Sequence, residues 1–311
     1  VLYGVLNLVL YRFVICPLVC AFICTLVCTF VCTFVCAFVF ASGCYQAKAA
    51  KLRQAETEPT CRSLAYGPKP LELDLYSSST KNLSNANLSN VNPSNENQEA
   101  AMPGPDLIVC AHGGAWSSGD KADRLYGANL AKALLSPRQD YASINYRLAP
   151  RHKYPAQIED YNKAIDFLLK LDRYKNSKIV LFGHSAGAQI VAAWILSPQA
   201  KARLSQARIK AIVLIDPPAL EIAKLTEELK AAFGENAGAI KLSLLSKLQN
   251  LPQEERAKLP PLTMYLSSDW RGKREQQSRT FFTLWHRNTN RKDKLIKVPE
   301  NHIGVISALQ A

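Results

Sequence analysis

Short apolar runs separated by amphipathic stretches dominate the chain from residue 71 onward. Leu71–Tyr76 alternates apolar and polar residues, as a half-exposed strand does. Leu107–Ala111, Ala142–Leu148, Ile179–Phe182, Ala211–Ile215, Leu262–Leu266 and Leu295–Val298 are runs of four to seven residues, mostly apolar, the length and composition of strands buried in a parallel sheet. Between them, Ala122–Leu135, Gln157–Leu171, Ala188–Leu196 and Glu275–Arg287 carry helical patterning. Glu221–Phe233 and Ile240–Leu248 read as two amphipathic helices forming a small lid over residues 217–258. Strands alternating with helices predict an α/β fold: a doubly wound, mostly parallel sheet.

Two segments fall outside this alternation. Residues 1–44 contain no charged residue except Arg12 and repeat a Cys-Thr-Phe-Val tetrapeptide, and seven of the nine cysteines lie here, at 16, 20, 24, 28, 32, 36 and 44. The run is long enough to span a bilayer as a helix and longer than a plain signal-peptide core. Ala41-Ser42-Gly43-Cys44 resembles a lipobox, although Ala41 stands where Leu is usual. A lipoprotein signal, an uncleaved membrane anchor and a cleaved signal or mis-set start all remain open; each implies an exported or membrane-associated protein, bacterial envelope on the lipobox reading. Lys48, Lys51 and Arg53 follow the run and favour a cytoplasmic side, against export. Residues 45–65 read as a tether. Residues 77–105 are a Ser/Asn-rich loop with Asn-Leu-Ser at Asn82 and Asn87, taken as a simple repeat rather than a pair of glycosylation acceptors. Residues 66–311 read as one α/β domain.

Composition narrows the function only a little. The chain of 311 residues is 48% hydrophobic and 20% charged, enough for one sizeable core. Its net charge of +13 is spread along the sequence, without a basic run of five or six and without a nucleic-acid module. The two cysteines beyond residue 44, Cys61 and Cys110, could pair in an oxidising compartment, but Cys110 sits in an apolar run and reads as core.

The chemistry lies at the ends of the strands. Gly183-His184-Ser185-Ala186-Gly187 follows a buried strand and opens a helix, the context of a nucleophile elbow with Ser185 as nucleophile. Leu107–Ala111 runs into His112-Gly113-Gly114-Ala115-Trp116, whose consecutive glycines leave backbone N–H groups free to converge on a substrate oxygen. A serine nucleophile needs a base, and the base needs a carboxylate. Two histidines follow Ser185: His286 lies within a helical run, and His302 lies in a loop after the last strand, where the base belongs. Three aspartates compete for the acid. Asp269 follows Leu262–Leu266 through Ser267-Ser268 and is preferred; Asp216 ends a strand one too early, and Asp293 lies in a charged loop.

From about Tyr66 to Leu309 these pieces resemble the α/β-hydrolases of the esterase/lipase group with the H-G-G motif. That group includes hormone-sensitive-lipase-like carboxylesterases, feruloyl and acetylxylan esterase-like proteins and kynurenine-formamidase-like enzymes. Besides the two glycine motifs, the matching pieces are Leu73-Asp74-Leu75-Tyr76, Ser118–Lys121, Asn145–Pro150, Tyr154-Pro155-Ala156 with Glu159-Asp160, Pro260-Pro261-Leu262, Asp269 and His302. The sequence departs from the group at Ser267-Ser268 and at Asn301, where members often carry glycine. The resemblance implies an α/β-hydrolase sheet and an oxyanion hole of Gly113, Gly114 and Ala186. It further implies hydrolysis of small or short-acyl carboxylic esters through an acyl-enzyme, with no metal or organic cofactor and a small-molecule ester or amide as partner. Trp116 and His184 are candidates for substrate contact. An arylformamidase-like amidase would use the same groups, and a non-catalytic binding protein would keep the scaffold alone.

Overall fold

The computed structural model describes residues 59–78, 104–206, 208–222, 226–235, 243–287 and 289–310. The expectations for residues 1–44 and for most of the 77–105 loop lie outside the described residues. Among those described, eight strands form one sheet: β1 Cys61–Ala65, β2 Glu72–Tyr76, β3 Asp106–Ala111, β4 Gln139–Ile144, β5 Ile179–His184, β6 Ile209–Ile215, β7 Leu262–Leu266 and β8 Lys294–Lys297. Their order is β1-β2-β4-β3-β5-β6-β7-β8. β2 runs antiparallel to both its neighbours, and every pairing from β4 to β8 is parallel. The sheet begins five residues before the expected boundary at 66. Cys61 is buried opposite Leu75, and Leu64 pairs with Leu73, so the end of the expected tether is an edge strand.

The nine α-helices of the described residues are α1 Ala128–Leu134, α2 Ala156–Lys170, α3 Ala186–Ile195, α4 Pro198–Ser205, α5 Glu227–Phe233, α6 Leu244–Gln249, α7 Gln253–Ala257, α8 Gly272–His286 and α9 Gly304–Ala308. The strands β3 and β5 are buried on both faces, which is why they read as unbroken apolar runs rather than alternating ones. Helix α3 is buried along its whole length. Its small residues allow this: Gly187 lies so close to β3 that a Cβ there would stand 2.0 Å from the Ala111 carbonyl oxygen.

Three short helices, α5 to α7, fill the excursion between β6 and β7 where the lid is expected. The far end of this excursion is fixed by Arg256 of α7, which is 3% exposed. Its guanidinium donates to the carbonyls of Leu248 (2.6 Å), Leu251 (3.2 Å) and Leu284, the last in the final turn of α8. Cys61 and Cys110 are both free, on strands separated by β2 and β4. Their pairing is excluded by that separation.

Candidate active site

The C-terminal ends of β3, β5, β6 and β7 converge on one point. Ser185 joins β5 to α3 with φ 52° and ψ −124°, a strained backbone for a residue with a side chain and costing about 1–3 kcal/mol. The turn is possible because its flanking residues are glycines: a Cβ on Gly183 would meet the Gly187 carbonyl oxygen at 2.5 Å. The Ser185 N–H donates to the Ile215 carbonyl at 2.9 Å, which ties the elbow to the end of β6. The oxyanion loop lies directly against it. A Cβ on Gly113 would stand 3.3 Å from Ser185 Cβ and only 2.6 Å from the Tyr126 hydroxyl, so glycine lets this backbone lie against Ser185. Gly114, Ala115 and Trp116 all have positive φ (118°, 51° and 61°), a second strained segment. Serines of the same loop hold it: Ser117 and Ser118 N–H both bond the Gly114 carbonyl, at 3.0 and 2.9 Å. The N–H groups of Gly114 and Ala186 enter none of the backbone–backbone hydrogen bonds of the described residues, whereas that of Gly113 faces the Tyr126 hydroxyl.

His112, which opens this loop, is buried, with its ring stacked on Tyr146 at 4.3 Å. Its Nδ1–H donates to the Gly113 carbonyl at 2.7 Å, and burial holds its pKa below the usual histidine value. Beyond the loop, Lys121 is also buried; its ammonium lies 3.0 Å from the Asp74 carboxylate and 3.1 Å from Ser63 Oγ. That ion pair anchors the loop to β1 and β2, and it gives Asp74, in the Leu73–Tyr76 motif, a structural reason to be there.

His302 lies between β8 and α9 with its Nδ1–H on a carboxylate, but the carboxylate is Asp216, at 2.8 Å, not Asp269. The register explains this correction. His184 pairs with Ile215, so the next residues, Ser185 and Asp216, leave adjacent strands side by side. Asp216 has φ 46°, is fully buried, and accepts three hydrogen bonds: from Ser267 N–H at 2.9 Å, from the Ser267 hydroxyl, and from His302. Asp269 is exposed and lies 2.7 Å from the same Ser267 Oγ, whose single proton the two carboxylates share; this contact, with the His302 backbone N–H also directed at it, holds its carboxyl below the usual range. Ser267, one of the two residues that replace glycine in the motif, therefore stands between two carboxylates. The other weighed pair is remote: His286 Nδ1 bonds Asp293 at 2.8 Å, and Asp293 also accepts from the N–H of Leu262, at the opposite end of β7.

The ring of His302 is held between two others. Trp270 stacks on it at 5.2 Å and 12°, and His184 lies 4.5 Å away on a tilted plane. His184 was a candidate for substrate contact, yet it is 1% exposed and both ring nitrogens are engaged within the protein. Burial, reinforced by the neighbouring His302, lowers its pKa to about 4. Trp116 is likewise 2% exposed: its indole N–H donates to Gln189 Oε1 at 3.1 Å and its ring meets Phe233 of α5 edge-on at 5.0 Å. Both are packing residues at the border of the site. Ser185 Oγ makes no hydrogen bond to the His302 ring among the described residues; the two are joined through His184. Tyr126, Trp270 and Ser267 were not foreseen as site residues. The Asp216-Pro217-Pro218 sequence at the end of a strand is the one local signal that could have promoted Asp216.

Comparison with known proteins agrees with this architecture. The family model described as BD-FAE matches residues 93–222, a span that contains the oxyanion loop, Ser185 and Asp216 and ends before Asp269 and His302. Kynurenine formamidase of Meyerozyma guilliermondii is 37% identical over 83 residues, 27% of this chain and 30% of its own. Arylacetamide deacetylase of Oryctolagus cuniculus is 35% identical over 89 residues, 26% of this chain and 22% of its own. The chain thus spans about a third or less of the length of these curated relatives. Among solved structures, carboxyl esterase 2 of Tuber melanosporum superposes with a TM-score of 0.58 at 18% identity, covering 82% of this chain and 85% of that one. Sheet order, the strand–turn–helix at Ser185 and the structural likeness together show an α/β-hydrolase fold.

Proposed function

We propose that the protein hydrolyses carboxylic esters through an acyl-enzyme on Ser185. The observation that carries this reading is the convergence of three groups at the strand ends: a strained Ser185, glycine N–H groups of the oxyanion loop against it, and a His302–Asp216 pair one residue away through His184. With Nδ1–H bonded to Asp216, the other ring nitrogen of His302 is the one available as base. It takes the proton as Ser185 Oγ attacks the ester carbonyl, and Asp216 stabilises the imidazolium. The N–H groups of Gly113, Gly114 and Ala186 bind the tetrahedral oxyanion, with α3 adding its N-terminal dipole. The imidazolium then protonates the leaving alcohol, and a water activated by His302 hydrolyses the acyl-enzyme.

A small or short acyl group is the substrate class implied by the resemblance to the H-G-G esterases. The test is hydrolysis of p-nitrophenyl acetate, butyrate and octanoate by the full chain and by Ser185→Ala. Turnover of the two shorter esters, falling at octanoate and abolished in the variant, is expected. A folded wild type without turnover would overturn the reading. The match to a kynurenine formamidase favours one second reading, an arylformamidase-like amidase. It predicts that an N-formyl aniline is cleaved faster than any of the three esters.

A further inference from the structure

We propose that His184 and Tyr126 are positioning residues that set the distance between the nucleophile and its base; the proposal rests on the serine-hydrolase reading above. His302 belongs to a loop and is only half-buried, and its ring nitrogen on Asp216 fixes the tip of the side chain but not the residue that carries it. The second point of attachment is its backbone. The His302 carbonyl accepts a hydrogen bond from His184 Nε2 at 2.8 Å. Since a carbonyl only accepts, Nε2 carries the proton, and the neutral ring must accept at Nδ1. Tyr126 supplies that donor, its hydroxyl 2.7 Å from Nδ1. Tyr126 is in turn fixed by Tyr141 of β4, whose hydroxyl donates to the Tyr126 carbonyl.

A continuous chain of hydrogen bonds therefore runs from the sheet through Tyr141, Tyr126 and His184 to the base. Its last member before the base is the residue covalently bonded to Ser185. One side chain and one peptide bond thus link the base directly to the nucleophile, beside the contacts its ring makes with Asp216 and Trp270. The same pair also lies beneath the oxyanion loop: a Cβ on Gly113 would meet the Tyr126 hydroxyl at 2.6 Å and His184 Nδ1 at 3.0 Å. A direct role for His184 toward substrate is ruled out by its burial and by the engagement of both nitrogens.

The experiment measures the acylation rate, KM and melting temperature for p-nitrophenyl butyrate in the full chain and in His184→Leu, His184→Gln and Tyr126→Phe. Loss of the link displaces the base on the scale of an ångström, which costs on the order of 10²-fold in rate. His184→Leu should lower acylation by that amount with KM within about twofold, because binding of the ester is not touched. His184→Gln, whose amide N–H reaches toward the Nε2 position, should recover most of the loss. Tyr126→Phe should fall between them, and adding it to His184→Leu should lower the rate no further, since both break one chain. Equal losses in the Leu and Gln variants, or an unchanged rate in either His184→Leu or Tyr126→Phe, would overturn the proposal. Should His184→Leu fail to fold, Tyr126→Phe, which leaves the imidazole in place, decides alone. Absence of acylation in the wild type would instead count against the serine-hydrolase reading itself.

Discussion

Two carboxylates stand within reach of His302, and the structure ranks them. Asp216 is fully buried and its carboxylate takes three donors, one of them the imidazole; Asp269 is exposed and touches the imidazole's neighbour Ser267. Asp216→Asn is the sharpest perturbation. Its positive φ of 46° is tolerated by asparagine better than by most residues, so the turn survives the substitution. What changes is chemistry: the charge that stabilises the imidazolium is lost, and the introduced amide can present an N–H where an acceptor is needed, forcing the wrong tautomer. In a Ser-His-Asp triad this loss is about 10⁴-fold in kcat, or roughly 5.5 kcal/mol. Asp269→Asn leaves an acceptor for the Ser267 hydroxyl and the His302 backbone N–H and removes only an exposed charge, so it should cost less than about tenfold, in line with the small worth of exposed polar pairs. Steady-state kinetics with p-nitrophenyl butyrate, together with melting curves to establish folding, separates the two. If Asp269→Asn loses about 10³-fold or more while Asp216→Asn stays within about tenfold of wild type, the assignment of the acid from this geometry is wrong.

Two further predictions follow from particular contacts. Gly187→Ala places a methyl 2.0 Å from a backbone carbonyl that cannot move without breaking the β3 register, so soluble yield or urea stability should fall by more than about 3 kcal/mol; a melting curve like the wild type's would show that α3 can slide on the sheet. His184 titrates near 4 in the fold against about 6.5 in the unfolded chain, so the unfolded state binds the extra proton between those values and stability falls as pH drops from 6.5 to 4. The upper bound on this loss is roughly 3 kcal/mol. His184→Gln should flatten urea-denaturation stability across that window, whereas parallel curves for variant and wild type would place the acid sensitivity elsewhere, His112 being the next buried histidine.

Much of the sheet was legible because parallel strands buried on both faces leave uninterrupted apolar runs, as in Leu107–Ala111 and Ile179–Phe182. β1 was not, because Cys-Arg-Ser-Leu-Ala is a half-exposed edge with only Cys61 fully buried. Helices α4, α7 and α9 escaped notice as well: at eight, five and five residues, they are too short for a period to declare itself. The turn at Ser185 and the glycine loop before Trp116 could be read since each is a local motif. The carboxylate that meets His302 could not. Asp216 and Asp269 each end a strand, and chain order alone favours the later one; only the register of β5 against β6 puts Asp216 beside Ser185. The roles of His184 and Tyr126 depend on contacts spanning 118 and 58 residues, for which no local pattern exists.

The guanidinium of Arg256 has a consequence for how the excursion between β6 and β7 can move. Charge buried without a carboxylate is held only while all three carbonyls stay in place, and those carbonyls belong to the end of α6, the turn after it and the last turn of α8. Swinging α6 and α7 away from α8 would strand a cation in a poor solvent, at a cost of several kcal/mol. This half of the excursion is therefore rigid against α8, whereas α5 is held by the Phe233–Trp116 ring contact and by the hydrogen bond from the Tyr154 N–H to the Ala232 carbonyl at 2.9 Å.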